Sequence, residues 1–169
     1  LIGNLGNLVN RALGFAKKNF DGKIPGPEGF DNHDKQAEEK IKKFSLEVGN
    51  LMEQNHLDRA VKKILEFTAY FNQYFQHKEP WKNGSGTKTT VYLSTNAIAS
   101  LAIVLYPFLP ASAEKIWLQL GMNNKISEQS WDSASSFLIK KDHNIGSVTP
   151  LFSKIEESDI QNHKKKFQS

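Results

Sequence analysis

A stripe of polar side chains along the first predicted helix is the feature of this sequence best suited to chemistry. Its members recur every three or four residues and therefore share one helix face: Asn4, Asn7, Arg11, Gly14 and Lys18, with Asn10 beside them. Asparagine is a mediocre helix former, so three of them within seven residues are unfavourable for a merely exposed face. Carboxamides and a guanidinium together can donate to and accept from the edges of bases. The stripe predicts a surface that reads nucleic-acid bases, and the alternative is that it caps neighbouring loops or fixes a helix pair.

The dipeptide Pro80-Trp81, directly after the third predicted helix, is the second feature with a possible function. A Lys-Asn-Gly-Ser-Gly loop follows it at residues 82–86. An exposed aromatic ring beside basic groups is the usual platform for stacking unpaired bases, worth about 1–3 kcal/mol per base. The alternative is a tryptophan folded back as a hydrophobic plug beneath the loop. Trp117, in contrast, is predicted to lie in the core, and Trp131 is predicted to anchor an irregular tail.

Residues that could form a catalytic or metal site are scattered along the chain. The sequence has no cysteine, which excludes disulfides and thiolate ligands. Its five histidines lie in separate segments without metal-ligand spacing: His33, His56, His77, His143 and His163. Acidic residues alternate with lysines, as at residues 38–43, which is typical of a solvated helix face. Because no phosphate-binding loop or nucleophile motif occurs either, we predict no catalytic residue and no metal site.

Length and composition favour one soluble globular domain. A chain of 169 residues with 38% hydrophobic and 24% charged residues can bury a core. The net charge of +4 and the pI of about 9.2 permit nucleic-acid binding without demanding it. The lack of cysteine fits a reducing compartment, so we expect a cytoplasmic protein. The chain starts Leu1-Ile2-Gly3 without an initiator methionine, and we expect it to be a piece of a longer protein.

Hydrophobic periodicity predicts an all-α fold, an up-and-down bundle of about five main helices. The predicted helices cover approximately residues 1–20, 32–53, 56–79, 89–106 and 110–120. Asn55 is predicted to cap the third helix, which must end before Pro80 because a residue that precedes proline disfavours the α region. Gly121 is predicted to terminate the fifth helix.

The fourth predicted helix is apolar on nearly every side from Val91 to Leu109. Polar residues interrupt this run and two prolines close it: Ser94, Thr95, Asn96, Ser100, Pro107 and Pro110. A membrane span needs about 20 apolar residues. We therefore predict a central buried helix of the bundle and no membrane partner.

Residues 122–169 are predicted to form a C-terminal extension that packs on the bundle of residues 1–121, within a single domain overall. The pattern is irregular as far as Pro150. A short final helix is predicted between Glu156 and Phe167, with acidic residues in its first turn and lysines in its last, as the helix dipole favours.

Several stretches resemble the anticodon-binding domain of the methionyl-tRNA synthetase family. Residues 5–15 (LGNLVNR followed by Phe15) are similar to its opening helix, and residues 20–25 (FDGKIP) to the loop after it. Residues 72–81 resemble its Asn-x-Tyr and Pro-Trp segment, and residues 105–121 its later helices. The resemblance continues at residues 143–155 and so spans nearly the whole chain. Its specific part is the Asn-Leu-x-x-Arg helix combined with the Pro-Trp at this distance, since other pieces are shared with other class I synthetases.

This resemblance implies that the domain reads the CAU anticodon of methionine tRNAs. The residues that match are Asn7, Arg11 and Trp81. Asn7 and Arg11 would hydrogen-bond the first anticodon base, a cytosine, and Trp81 would pack against an unstacked anticodon base. Some members of the family carry a further asparagine one turn before Asn7. Here that position is Gly3, with Asn4 displaced by one residue, so no role is assigned to Asn4.

The catalytic half of that family carries a His-Ile-Gly-His-type motif and a Lys-Met-Ser-Lys-Ser-type loop, and this sequence contains neither. We therefore expect a recognition module that is not an enzyme by itself and holds no cofactor. Its expected partners are a methionine tRNA and the catalytic domain of the same ligase, which would use ATP. Two alternatives stand beside this hypothesis: a helical protein-interaction module derived from such a domain, and the equivalent domain of another class I synthetase. Retention of Asn7, Arg11 and Trp81 argues against a mere scaffold.

Overall fold

The computed structural model describes residues 2–152, and five α-helices organise this part of the chain. They are α1 (Ile2–Asn19), α2 (Asn32–Glu53), α3 (Leu57–Lys78), α4 (Thr87–Leu105) and α5 (Pro110–Gln119). A short 3-10 turn at Pro80–Lys82 lies between α3 and α4, and two more at Ile126–Glu128 and Trp131–Ser135 come after α5. Among residues 2–152 the only β-type pairing is an isolated bridge between Lys23 and Asn144. The predicted all-α bundle is confirmed, while the predicted final helix at 156–167 lies outside the described residues.

The ends of α2 and α3 follow local hydrogen bonding, with one correction to the sequence prediction. Asp31 begins α2 with a capping box, in which its carboxylate accepts from the Asp34 backbone N–H and the Asp34 carboxylate accepts from the Asp31 N–H. The prediction that Asn55 caps α3 is wrong, because His56 is the cap residue and makes no side-chain cap bond. Asn55 instead has a left-handed φ of 59° in the turn between the helices. Asparagine tolerates this backbone region better than most residues do.

Helix α4 is the centre of the bundle, because α1, α2, α3 and α5 all pack against it. Its length and apolar composition would suit a membrane span, but 89% of that stretch is buried inside the protein. The buried Asn96 ties the irregular tail to this helix. Its Nδ2 donates to the Ile139 carbonyl oxygen at 3.0 Å, and its Oδ1 accepts from the Ile139 N–H at 2.9 Å. The prediction of a central buried helix is confirmed.

The segment after α5 folds back along the bundle. Gly121 ends this helix with a φ of 72°, and a Cβ there would lie 2.2 Å from the Asn144 carbonyl oxygen, so only glycine fits. The indole N–H of Trp131 donates to the Ser45 carbonyl oxygen of α2 at 2.9 Å. Trp117 is buried in the core. The predicted roles of Gly121, Trp117 and Trp131 are confirmed.

Candidate nucleic-acid interface

Asn7 and Arg11 lie where α1 packs beside α3. The buried positions of α1, among them Leu8 and Ala12, face the core and leave Asn7 exposed and Arg11 half-buried. Asn7 Nδ2 donates to Asn72 Oδ1 at 3.0 Å, and Arg11 Nη2 donates to Gln76 Oε1 at 2.7 Å. Asn7 and Arg11 are four residues apart on α1, and their partners are four residues apart on α3. The two hydrogen bonds therefore lie one helical turn apart between α1 and α3.

Trp81 lies beside these hydrogen bonds, in the 3-10 turn after α3. The guanidinium carbon of Arg11 is 5.9 Å from the centroid of the Trp81 ring and 5.4 Å from that of Phe75. The rings of Phe75 and Trp81 are 6.5 Å apart. The Trp81 side chain is still 42% exposed, so it covers Arg11 and Phe75 without being a buried plug. The three residues singled out in the sequence therefore share one surface.

Two polar residues of this surface, Asn72 and Gln76, have no role in the sequence-based prediction. Asn72 holds the helix pair together, since its Nδ2 also donates to the Asn4 carbonyl oxygen at 2.9 Å and to the Thr68 carbonyl oxygen at 3.1 Å. The four-residue spacing of Asn72 and Gln76 on α3, which repeats that of Asn7 and Arg11 on α1, is the signal that could have found them. These bonds also show that the stripe fixes a helix pair, as the alternative interpretation of the sequence proposed.

The hydrogen bonds between the helices leave some donors and acceptors of Asn7 and Arg11 unused at the exposed edge. Within residues 2–152 no donor reaches the Oδ1 of Asn7, and only one bond from the guanidinium of Arg11 is present. A guanidinium has further N–H donors, and an amide oxygen accepts through two lone pairs. Next to them lies the partly exposed ring of Trp81. Such a set can hydrogen-bond the edge of an unpaired base while a neighbouring base stacks.

A polar cluster lies beneath the loop that carries Trp81, and its members are buried except for Asp31. Lys78 Nζ is 2.7 Å from Asp31 Oδ2 and 2.9 Å from Asp34 Oδ1, and the Tyr74 hydroxyl donates to Asp34 Oδ1 at 2.6 Å. Burial raises the pKa of Tyr74 well above its usual value, and the bond to Asp34 adds to this effect. Burial opposes ionisation of Asp31, but bonds from Lys78 and from the Asp34 backbone lower its pKa to about 2. Burial also opposes the charge on Lys78, yet its bonds to the two carboxylates raise its pKa overall.

The lowered pKa of Asp31 predicts a specific loss of stability in acid. A carboxyl with a pKa of about 2 in the folded chain and 3.8 as its ordinary value stabilises the fold above pH 3.8. That contribution disappears as the pH falls to about 2. Asp31→Asn keeps a good cap residue and removes the titration. We expect wild type to melt at a higher temperature than Asp31→Asn at pH 6, and the difference to vanish near pH 2. A difference that persists unchanged at pH 2 would contradict the assignment.

Comparison with known proteins identifies the class of protein to which this all-α bundle belongs. Residues 34–166 match the family described as the anticodon-binding domain of tRNA ligase. The chain belongs to this family, and it is of the methionyl-tRNA synthetase type.

Proteins similar in sequence and a solved structure similar in fold are both methionyl-tRNA synthetases by name. The chain is 35% identical to the methionine--tRNA ligase of Pyrococcus horikoshii over 95% of its own length and 22% of the relative's. It is 36% identical to that of Methanosphaera stadtmanae, covering 27% of the relative. The crystal structure of apo Mycobacterium tuberculosis methionyl-tRNA synthetase has the same fold, with a TM-score of 0.83 and 24% identity, over 92% of this chain and 32% of that one. The chain thus spans less than a third of the length of the relatives named here.

Proposed function

We propose that the surface of Asn7, Arg11 and Trp81 reads the CAU anticodon of methionine tRNAs for a ligase that joins methionine to them. The observation that carries this proposal is the convergence of the three side chains. Asn7 and Arg11 lie one helical turn apart at an exposed edge, and the Arg11 guanidinium carbon lies 5.9 Å from the Trp81 ring centroid. Unpaired loop bases are read by proteins through such combinations of edge contacts and stacking.

The hydrogen-bonding capacity of Asn7 and Arg11 suits a cytosine at the first anticodon position. The pairing edge of cytosine presents an amino donor and two acceptors, whereas that of uracil presents an N–H donor where cytosine has its ring-nitrogen acceptor. The donors of Arg11 can serve the two acceptors of cytosine, and the Asn7 amide oxygen can serve its amino group. With uracil, a guanidinium donor would face a donor. Leaving polar groups unpaired in this way is the usual source of strong discrimination.

The chemistry of aminoacylation is assigned to parts of such a ligase other than this domain. The chain supplies recognition in the cytoplasm, while an attached catalytic domain consumes ATP and methionine. Neither motif of the family's catalytic half occurs in the sequence. ATP–pyrophosphate exchange catalysed by the purified chain would contradict this division of labour.

Binding to anticodon stem-loops tests the proposal. Fluorescence anisotropy would compare a CAU stem-loop with loops that differ at one base, on the same stem. We expect the CAU loop to bind more tightly than a UAU loop by about 1–3 kcal/mol, the range for a specific base contact. Affinity should fall as salt rises, because part of it comes from phosphate contacts. Equal affinity for every loop would contradict anticodon reading, and no binding even at low salt would favour a protein-interaction module.

A further inference from the structure

We propose that the buried Lys78–Asp34 pair positions Trp81, which makes Lys78 and Asp34 positioning residues for base stacking rather than contacts to RNA. This inference rests on the proposed function in one respect, namely that Trp81 stacks on a base. Whether the charge pair beneath the loop determines the position of the Trp81 ring can be tested without RNA.

Lys78 is the last residue of α3 and precedes Trp81 by three positions. Its side chain turns inward and is only 9% exposed, although lysine is rarely buried. The Asp34 side chain that receives it is 2% exposed and is also held by the Tyr74 hydroxyl. With its ammonium group between the carboxylates of Asp31 and Asp34, Lys78 is not available to a phosphate. An effect of Lys78 on RNA binding would therefore come through the residues that it holds in place.

The loop at residues 79–86 closes over the Lys78 side chain. A Cβ at Gly86 would lie 3.0 Å from Lys78 Nζ and 3.2 Å from its Cε, so the far end of the loop rests on the ammonium group. The near end is joined to the start of α4, because the Thr87 hydroxyl donates to the Pro80 carbonyl oxygen at 3.2 Å. Lys78 thus connects both ends of the loop to the capped start of α2.

The backbone of this loop governs where the Trp81 ring lies. Trp81 has few other supports, since its ring packs near Phe75 and Arg11 and is otherwise partly open. Glu79 and Asn83, two residues to either side of Trp81, both have left-handed φ values, 42° and 52°. Asparagine tolerates this region, but glutamate at such a φ indicates a turn that its surroundings hold in place. Removing the Lys78 charge leaves the buried Asp34 carboxylate unpaired, so the loop has to rearrange to admit water or another cation.

Indole N–H signals in ¹⁵N-tryptophan NMR spectra test the positioning directly, with Trp81→Phe to assign the Trp81 signal. In Lys78→Met we expect the Trp81 signal to shift or broaden while those of Trp117 and Trp131 stay in place. Lys88→Met is the matched control, because Lys88 is an exposed lysine of α4 that pairs with Glu28. Movement of all three signals would mean a general loss of structure, and an unmoved Trp81 signal would overturn the proposal.

A glycine pair in the same loop keeps the test decisive if Lys78→Met does not fold. Gly86→Ala places a methyl group 3.0 Å from Lys78 Nζ without removing any charge, whereas a Cβ at Gly84 meets nothing within 4 Å. We expect Gly86→Ala to move the Trp81 signal and Gly84→Ala to leave it unchanged. Equal responses of the two variants would overturn the proposal.

Binding of the CAU stem-loop then separates positioning from direct contact. We expect Lys78→Met, or Gly86→Ala in its place, to weaken binding about three- to tenfold in the wild-type background and not at all in Trp81→Ala. An equal loss in both backgrounds would mean that the effect does not pass through Trp81, which would overturn the proposal. If the wild-type protein did not distinguish CAU from its variants, the proposed function would be wrong. The tryptophan signals would still show whether Lys78 positions Trp81.

Discussion

Trp81→Ala is expected to weaken binding of the CAU stem-loop by about 1–3 kcal/mol and to leave the bundle folded. The ring is partly exposed beside Arg11, and the variant removes the stacking of an unpaired base on this ring. The fold should survive because the side chain is 42% exposed and lies at the edge of the core. Fluorescence anisotropy measures the affinity, and thermal unfolding followed by circular dichroism measures the stability.

Two comparisons make the result for Trp81 interpretable. Leu118→Ala removes an apolar side chain of α5 that is 69% exposed, and it should change neither the affinity nor, by more than about 0.5 kcal/mol, the stability. Trp81→Phe keeps an aromatic face and should retain part of the affinity. If Trp81→Ala lowered the melting temperature as a core truncation does, the ring would be a hydrophobic plug and the stacking role would fail.

The helices could be predicted from the sequence because each carries a local signal. Apolar periodicity marks α1 to α3, Pro80 limits α3, and Gly121 ends α5. The exception is Asn55, since asparagine serves both as a helix cap and in left-handed turns. The choice between the two depends on how α2 and α3 approach each other, which no local pattern contains.

The candidate site could be predicted only where one helix supplies it. Asn7 and Arg11 follow from the period of α1, but their partners Asn72 and Gln76 each lie 65 residues further along the chain. Their pairing depends on the register between α1 and α3, which core packing sets. The exposure of Trp81 cannot be predicted from the sequence for the same reason, because it depends on packing against Phe75 and on the loop that carries it.

Arg11→Lys should have the other large effect, and of a different kind from that of Trp81→Ala. Lysine keeps the charge but loses the planar fork of donors that can match two acceptors of one base edge. We expect it to weaken binding of the CAU stem-loop by about 1–3 kcal/mol and to reduce the preference for CAU over UAU. Because the charge is retained, the dependence of affinity on salt should not change. Arg59, the other arginine of the chain, lies exposed on α3, and Arg59→Lys is the matched control.

The ratio of affinities for the CAU and UAU loops separates the two roles. Stacking tolerates any base because every base has a π-face. Trp81→Ala should therefore weaken binding of both loops and leave the ratio of the two affinities nearly unchanged. Hydrogen bonds to a base edge discriminate, so Arg11→Lys should change the ratio itself. Since the Arg11 guanidinium also lies over the Phe75 and Trp81 rings, some loss of stacking should accompany its replacement. An unchanged ratio in Arg11→Lys would mean that Arg11 supports Trp81 without reading the cytosine, and the specificity would then have to come from elsewhere on this surface.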